Sequence, residues 1–219
     1  EPTALESGME GAPIPDGDSG GADAARAIDP VRDLYGGVLF HTGRFRRLAG
    51  YRSLCATECD AELTTDGSGP WFGHYFPGQL VLGDPAARDA AMHSIQACIP
   101  HCTILPVAAK RVWCAKLDPH GAYLVHAIER ARDAESFVYD LSLRTPDGRE
   151  VERWEGLRLA TVRGEPIIVP RAPALLGIYL ERRLGDLIPG VQLRIAIANG
   201  LGTPDARSAA VSRELLGAG

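Results

Sequence analysis

The stretch from Asp84 to Pro100 constrains this chain most. Asp84 can cap a helix, and Pro85 suits the first helical position, where its missing N–H is not needed. Pro100 helps end the helix at about Ile99. Between these bounds small residues crowd: Ala86, Ala87, Ala90, Ala91, Ser94, Ala97 and Cys98. Side chains so short let a helix lie close against a sheet. The expectation is a helix running from Ala86 to about Ile99 and wrapped by strands, not one lying on a surface.

Strand patterns stand on both sides of it. Val38-Leu39-Phe40 with Phe45 is expected to enter a core as a strand, and Leu54 to Leu63 alternates well enough for a second. Residues 64–70 have loop composition. After the helix, Leu105 to Leu117, Ala122 to Arg130 and Ser136 to Arg144 are expected strands. Pro146-Asp147-Gly148 has turn chemistry at each position, and Val151 to Val162 pairs back beyond it. Two early strands, one helix and four later strands give an α+β chain with the hot-dog fold, an antiparallel sheet wrapped around a central helix.

That unit is expected over residues 29–165. Residues 1–28 hold hardly a large apolar side chain beyond Leu5 and Ile14, too little to offset the entropy of ordering, and are expected to be a flexible linker. Residues 166–219 are expected to be a C-terminal extension or the start of a following domain. Ala174 to Leu187 reads as an amphipathic helix, Val191 to Ala198 as a strand and Asp205 to Leu216 as a second helix.

Composition narrows the function classes. The net charge of −5 gives no general case for nucleic acid. No apolar run approaches the roughly 18 residues of a membrane span, and no signal peptide is visible, so a cytoplasmic location is expected. Glu1 stands where an initiating Met would, as expected of a piece of a longer protein. Five cysteines make an odd set in a chain of this size, so a disulfide framework is not expected. Cys98, His101 and Cys102 lie close in sequence, but no second short-spaced pair follows to complete a zinc site. Free thiols and no metal are the expectation.

The helix carries a polar face. Asp89, Met92, His93 and Gln96 fall at i, i+3, i+4 and i+7 and so share one side. A buried carboxylate is costly unless paired or used, and in apolar surroundings its pKa rises. Asp89 and His93 are therefore either a proton-transfer pair or an ordinary ion pair on a solvated face.

Here the chain resembles the dehydratase domain of polyketide synthases. Those domains carry Asp-x-x-x-Gln/His on the helix of their second, C-terminal hot dog, usually a few residues after a His-Pro. In Asp84-Pro85-Ala86-Ala87-Arg88-Asp89-Ala90-Ala91-Met92-His93 the Pro, Asp and His fall in register, while Asp84 replaces the usual His and Arg88 a usual Leu. Tyr35-Gly36-Gly37-Val38-Leu39-Phe40-His41-Thr42-Gly43-Arg44-Phe45 is similar to the family's first-strand motif, with Thr42-Gly43 in place of Gly-Pro. Leu105-Pro106-Val107 resembles the Leu-Pro that opens the next strand. The resemblance covers about 29–163 and is nearest in flavour to iterative synthases that build enediyne polyenes.

The resemblance implies elimination of water from carrier-bound 3-hydroxyacyl thioesters to give enoyl or polyene chains. Asp89 would be the acid and His93 its orienting partner. Gln96, Met92, His41, Phe45 and Tyr35 would contact the substrate. No cofactor is implied in this segment, since the substrate arrives on carrier-bound phosphopantetheine. The implied partners are an acyl carrier protein domain and the N-terminal hot-dog lobe of the same synthase, or a second copy in a homodimer; neither nucleic acid nor membrane is implied.

The family's base sits in a His-x-x-x-Gly-x-x-x-x-Pro motif. His74-Tyr75-Phe76-Pro77-Gly78 begins like it, but residue 83 is Gly, and a chance match is the expectation. The fragment would then lack its base. That leaves two rivals to the dehydratase half: a non-catalytic lobe that binds or templates the chain, and a hot-dog thioesterase in which an Asp activates water. Arg44, Arg46, Arg47 and Arg52 form a basic stretch that either meets an acidic carrier or is a solvated edge. His41 either lines a tunnel mouth or is simply packed or exposed. His101, His120 and His126 have no evident partner.

Overall fold

The computed structural model describes residues 28–65, 71, 80, 81, 83–118, 120–162, 173–188, 190, 191, 193–199 and 209–215. Side chains are described for all of these except 196–199 and 209–215. Residues 1–27 of the expected 1–28 linker, 66–70 of the expected 64–70 loop and the His74 motif lie outside the described residues, while Ile28 is buried in the core and belongs to the folded unit.

Asp29 caps the first described element. Its carboxylate accepts from the Val31 N–H at 2.9 Å and starts a short helical turn, Pro30–Leu34. Val38–Phe40, expected as a strand, lies in and just after a reversal in which Gly36 takes φ +88° and the Gly36 N–H donates to Leu39 O at 2.8 Å. The apolar side chains suited a strand, but the Gly-Gly pair turns the chain instead.

Strand β1 (Leu48–Leu54) pairs antiparallel with β2 (Glu58–Thr64). Helix α1 (Pro85–His93) follows, capped by Asp84, which accepts from the Ala86 N–H at 2.9 Å, and a tighter turn over Ser94–Cys98 prolongs it. The expected 105–117 strand is two strands, β3 (Ile104–Ala108) and β4 (Arg111–Cys114), which both pair with β7 but with a break at Lys110. Then come β5 (Ala122–Arg132), β6 (Ser136–Arg144) and β7 (Glu150–Thr161). The β6–β7 turn holds Gly148 at φ +90°, with its N–H on Thr145 O at 2.8 Å.

These seven strands form one antiparallel sheet in the order β1-β2-β5-β6-β7-β3, with β4 also on β7. The sheet wraps α1, whose Ala86, Ala87, Ala90 and Ala91 are fully buried. This is the hot-dog fold. The core behind the helix is filled by Leu63, Ile95, Ile99, Tyr139, Leu141, Leu143, Leu157 and Leu159. Burying such side chains supplies most of the driving force for folding.

Helix α2 (Leu176–Leu187) is anchored on the same body. The buried Arg182 donates from Nε to Cys98 O at 2.9 Å and from Nη2 to Ala56 O and, at 2.8 Å, to Glu129. Strand β8 (Leu193–Asn199) pairs with β9 (Ala209–Leu215), so the helix expected over 205–216 is a strand there. Pairing across seven residues of β8 overrides whatever local helical preference the segment has. All five cysteines are free thiols: Cys55, Cys59 and Cys98 are buried, Cys102 is half-buried and Cys114 is exposed.

Candidate active site

Three elements meet at one point. Asp89 and His93 stand one turn apart on α1, as the i, i+4 spacing predicts, and His93 Nδ1 lies 3.2 Å from Asp89 Oδ2. The reversal after Leu39 brings His41 over the helix, with Nε2 at 3.1 Å from the same oxygen. Tyr35 stands behind His93, its hydroxyl 3.2 Å from Nε2. The histidine rings lie 4.0 Å apart between centroids, and Phe40 stacks on the far face of the cluster against His41 at 4.3 Å.

The hydrogen-bond directions fix the protons. The Leu48 N–H donates to Tyr35 Oη at 3.0 Å, leaving the Tyr35 O–H to point at His93 Nε2. Burial pushes the Tyr35 pKa up, so the phenol keeps its proton. His93 is then an acceptor at Nε2 and carries its hydrogen on Nδ1, donated to Asp89. Burial lowers the His93 pKa and outweighs the pull of Asp89, so the ring is neutral at pH 7.

Asp89 itself departs from expectation. Burial acts to raise its pKa, but the hydrogen bonds from His41 and then His93 outweigh it and hold the carboxyl well below the usual carboxylate range. The sequence showed the alanines around Asp89 but not His41, which crosses from a distant segment. Asp89 is a charged hub hydrogen-bonded to two imidazoles, not a stored acid.

The cluster opens into a cavity of about 370 Å³ lined by Val38, Phe40, His41, Phe45, Asp89, Met92, His93, Gln96, Ile104, Leu105, Pro106 and Leu159. The wall is largely apolar, suited to an acyl chain. Met92, His41 and Phe45 therefore stand where contact with a bound chain is possible. Gln96 also lines it, but its amide is committed: Nε2 donates to Ile99 O and Cys102 O, both at 2.8 Å, and Oε1 accepts from the Ile104 N–H at 3.1 Å. Tyr35 is behind the wall, touching His93 and not the cavity. Ligand atoms of His41, Asp89 and His93 lie within 4.8 Å of one another, the group among the described residues that could hold a metal ion, although the hydrogen bonds already satisfy the three atoms that meet there.

The motif's departures have structural partners. Asp84, in the place of the usual His, faces Arg47 at 3.4 Å with both side chains buried. Arg88, in the place of Leu, pairs with the buried Glu152 and donates to Ala115 O at 3.1 Å. The basic stretch is not one free face: Arg44 lies over Trp71, Arg46 over Tyr35, and Arg52 pairs with Glu62 at 2.7 Å. His126 has a partner that the sequence did not reveal, Asp60 at 2.9 Å.

A family model of the polyketide synthase dehydratase N-terminal domain matches residues 13–166. The chain belongs to the polyketide synthase dehydratase family. The matched model is that of the N-terminal domain, whereas the motif resemblance is to the C-terminal half. No curated protein matches the chain in sequence. Among solved structures, a dehydratase domain from the CurJ module of curacin polyketide synthase is 17% identical over 56% of this chain and 44% of that one, with a TM-score of 0.43. A trans-acyltransferase polyketide synthase enoyl-isomerase is 14% identical over 55% of this chain and 50% of that one, TM-score 0.43. A hypothetical thioesterase from Streptococcus pneumoniae TIGR4, solved with coenzyme A, is 9% identical over 51% of this chain and 84% of that one, TM-score 0.38. The dehydratase-family lobe thus spans about half the length of the first two. No helix among its described residues is long and apolar enough to cross a membrane.

Proposed function

We propose that this chain is the Asp89-bearing lobe of a polyketide synthase dehydratase, removing water from carrier-bound 3-hydroxyacyl thioesters in an iterative, enediyne-type synthase. The observation that carries the reading is the convergence of Asp89, His93 and His41 at the head of an apolar cavity. Dehydration needs proton-transfer groups within hydrogen-bond reach of both C2 and the 3-hydroxyl, and a dry channel for the chain. We keep the lobe as the C-terminal, Asp-bearing half because the Asp-x-x-x-His pair is the motif that the cavity is built around. Its partners would be an acyl carrier protein domain, which presents the chain on phosphopantetheine, and a second hot-dog lobe, from the same synthase or another copy.

Asp89→Asn in the intact synthase is the test. It keeps the shape but removes the charge that both histidines hold, so dehydration should fall about a hundredfold or more. Ketone reduction should continue, and 3-hydroxyacyl intermediates should accumulate on the carrier. Normal polyene output from Asp89→Asn would sink the reading. The charged state of Asp89 also suits a hot-dog thioesterase, in which a carboxylate activates water. The product separates the two: an enoyl thioester from dehydration, a free 3-hydroxy acid from hydrolysis.

A further inference from the structure

One carboxylate and two imidazoles converge on a single point, and that set has a second chemistry. Asp89 and His93 share a face of α1 at i, i+4, the spacing at which two side chains of one helix reach a common ion. His41 arrives from the reversal before β1 and adds a third donor atom. Asp89 Oδ2 is 3.1 Å from His41 Nε2 and 3.2 Å from His93 Nδ1, and the three ligand atoms all lie within 4.8 Å of one another. Zinc holds nitrogen and oxygen ligands at about 2.0–2.2 Å in a tetrahedron, which sets the ligand atoms about 3.3–3.5 Å apart. Both edges that meet at Asp89 are already close to that length. The Asp89 side chain is 32% exposed and all three residues line the cavity, so the meeting point is open on the Asp89 side.

We propose that His41, Asp89 and His93 form a binding site for a divalent transition-metal ion of the zinc class. The proposal goes beyond dehydration and does not rest on it. Coordination exchanges the two contacts with Asp89 for bonds to the ion, each imidazole presenting the lone pair of the nitrogen that now meets the carboxylate. The ring hydrogens then sit on the other nitrogens. For His93 that is Nε2, 3.2 Å from Tyr35 Oη, which can accept as well as donate. An acceptor behind a ligating histidine is the outer contact that fixes ring and tautomer at metal sites. For His41 it is Nδ1, which no described residue holds to either tautomer. Two imidazole nitrogens and a carboxylate oxygen suit zinc, cobalt, nickel or iron, not magnesium or calcium, which take oxygen ligands throughout. Three protein ligands leave a further position for water or for an oxygen of a small molecule in the cavity.

Cobalt(II) is the probe. Added to the chelator-treated 219-residue chain, one equivalent should give the visible absorption of four-coordinate Co2+ without a thiolate-to-cobalt charge-transfer band, and Zn2+ but not Mg2+ should bleach it. Asp89→Asn and His41→Gln should each weaken Co2+ binding about a hundredfold or more, and Tyr35→Phe, which removes only the outer contact, about tenfold. Zn2+ should also raise the thermal unfolding temperature of the wild type and leave that of His93→Gln unmoved. Each protein is its own reference there, so the comparison holds even where a variant is less stable. No absorption at stoichiometric Co2+ overturns the site, as does an affinity unchanged in Asp89→Asn shown by circular dichroism to be folded. A thiolate band overturns it too, since it assigns the ion to the exposed Cys114 or the half-buried Cys102. All three outcomes leave the dehydratase reading standing, because that reading is tested on products and not on metal.

Discussion

Arg182 is almost wholly buried on α2, where Nε and Nη2 meet the carbonyls of Cys98 and Ala56, the Glu129 carboxylate and the Tyr139 hydroxyl at 3.2 Å, with the Phe137 ring 5.1 Å from its guanidinium carbon. Burial acts to lower its pKa, but Tyr139 and Glu129 outweigh it, so the charge stays. Removing one member of such a pair strands the other in low dielectric. Arg182→Met should therefore cost about 3–5 kcal/mol in denaturant unfolding, and Glu129→Gln added to it should recover part of that loss. A loss near zero would mean that α2 is held by its apolar side alone. The same guanidinium bears on His101. Burial first, then the charges of Arg182 and Arg183, lower the His101 pKa from 6.5 to about 4. A depressed histidine is neutral in the fold but protonates on unfolding. Its contribution is full above about pH 6.5, the unfolded value, and is lost as pH falls from there toward 4. Stability should decline through that window in the wild type, and His101→Gln should flatten the decline; identical pH curves would refute the assignment.

At the scale of elements, α1 is held by the absence of side chain. Ala90 is fully buried against the sheet, so Ala90→Leu must push strands apart and should cost about 1–3 kcal/mol by thermal unfolding, whereas Met92→Leu, on the cavity side, should be close to neutral. That alanine face was legible from the sequence because close packing leaves a local trace in residue size. Strand β6 was read to its ends for a similar reason: Phe137, Tyr139, Leu141 and Leu143 point inward at the period of two. The Asp89–His93 pair was legible because helical spacing alone puts it on one face. His41 on Asp89 was not, since the contact spans 48 positions and depends on a glycine reversal that the apolar Val38-Leu39-Phe40 disguised as a strand. The sign of the Asp89 pKa shift was lost with it: the alanines argued for a retained proton, and one unseen imidazole reversed the balance. Over 205–216 a helix was expected, and across 209–215 the pairing with β8 makes a strand instead.

For the whole molecule the open question is what lies along β3. It ends the sheet, with β7 as its neighbour among the described strands, and beyond Ile104 its residues are exposed, Val107 at 58%. On β4, Val112 and Trp113 are exposed as well, and Phe40 stands out at the cavity wall. An edge with unpaired backbone groups and apolar side chains is a template for another strand. Among the described residues α2 is engaged elsewhere, on Ala56, Cys98, Glu129, Arg132 and Tyr139. Because Leu105 and Pro106 also line the cavity, whatever covers this edge would stand beside the cavity. On the proposed dehydratase reading a second lobe would occupy it; for the isolated chain the same surface is offered to another copy. The expected outcome in light scattering is a dimer, converted to monomer by Val107→Lys, which places a charge where the partner strand would lie but is solvated in the free lobe. Its thermal unfolding, measured below the dissociation concentration, should match the wild type. A wild-type chain that stays monomeric at high concentration, or a Val107→Lys variant that stays dimeric, would show that β3 is not the pairing edge.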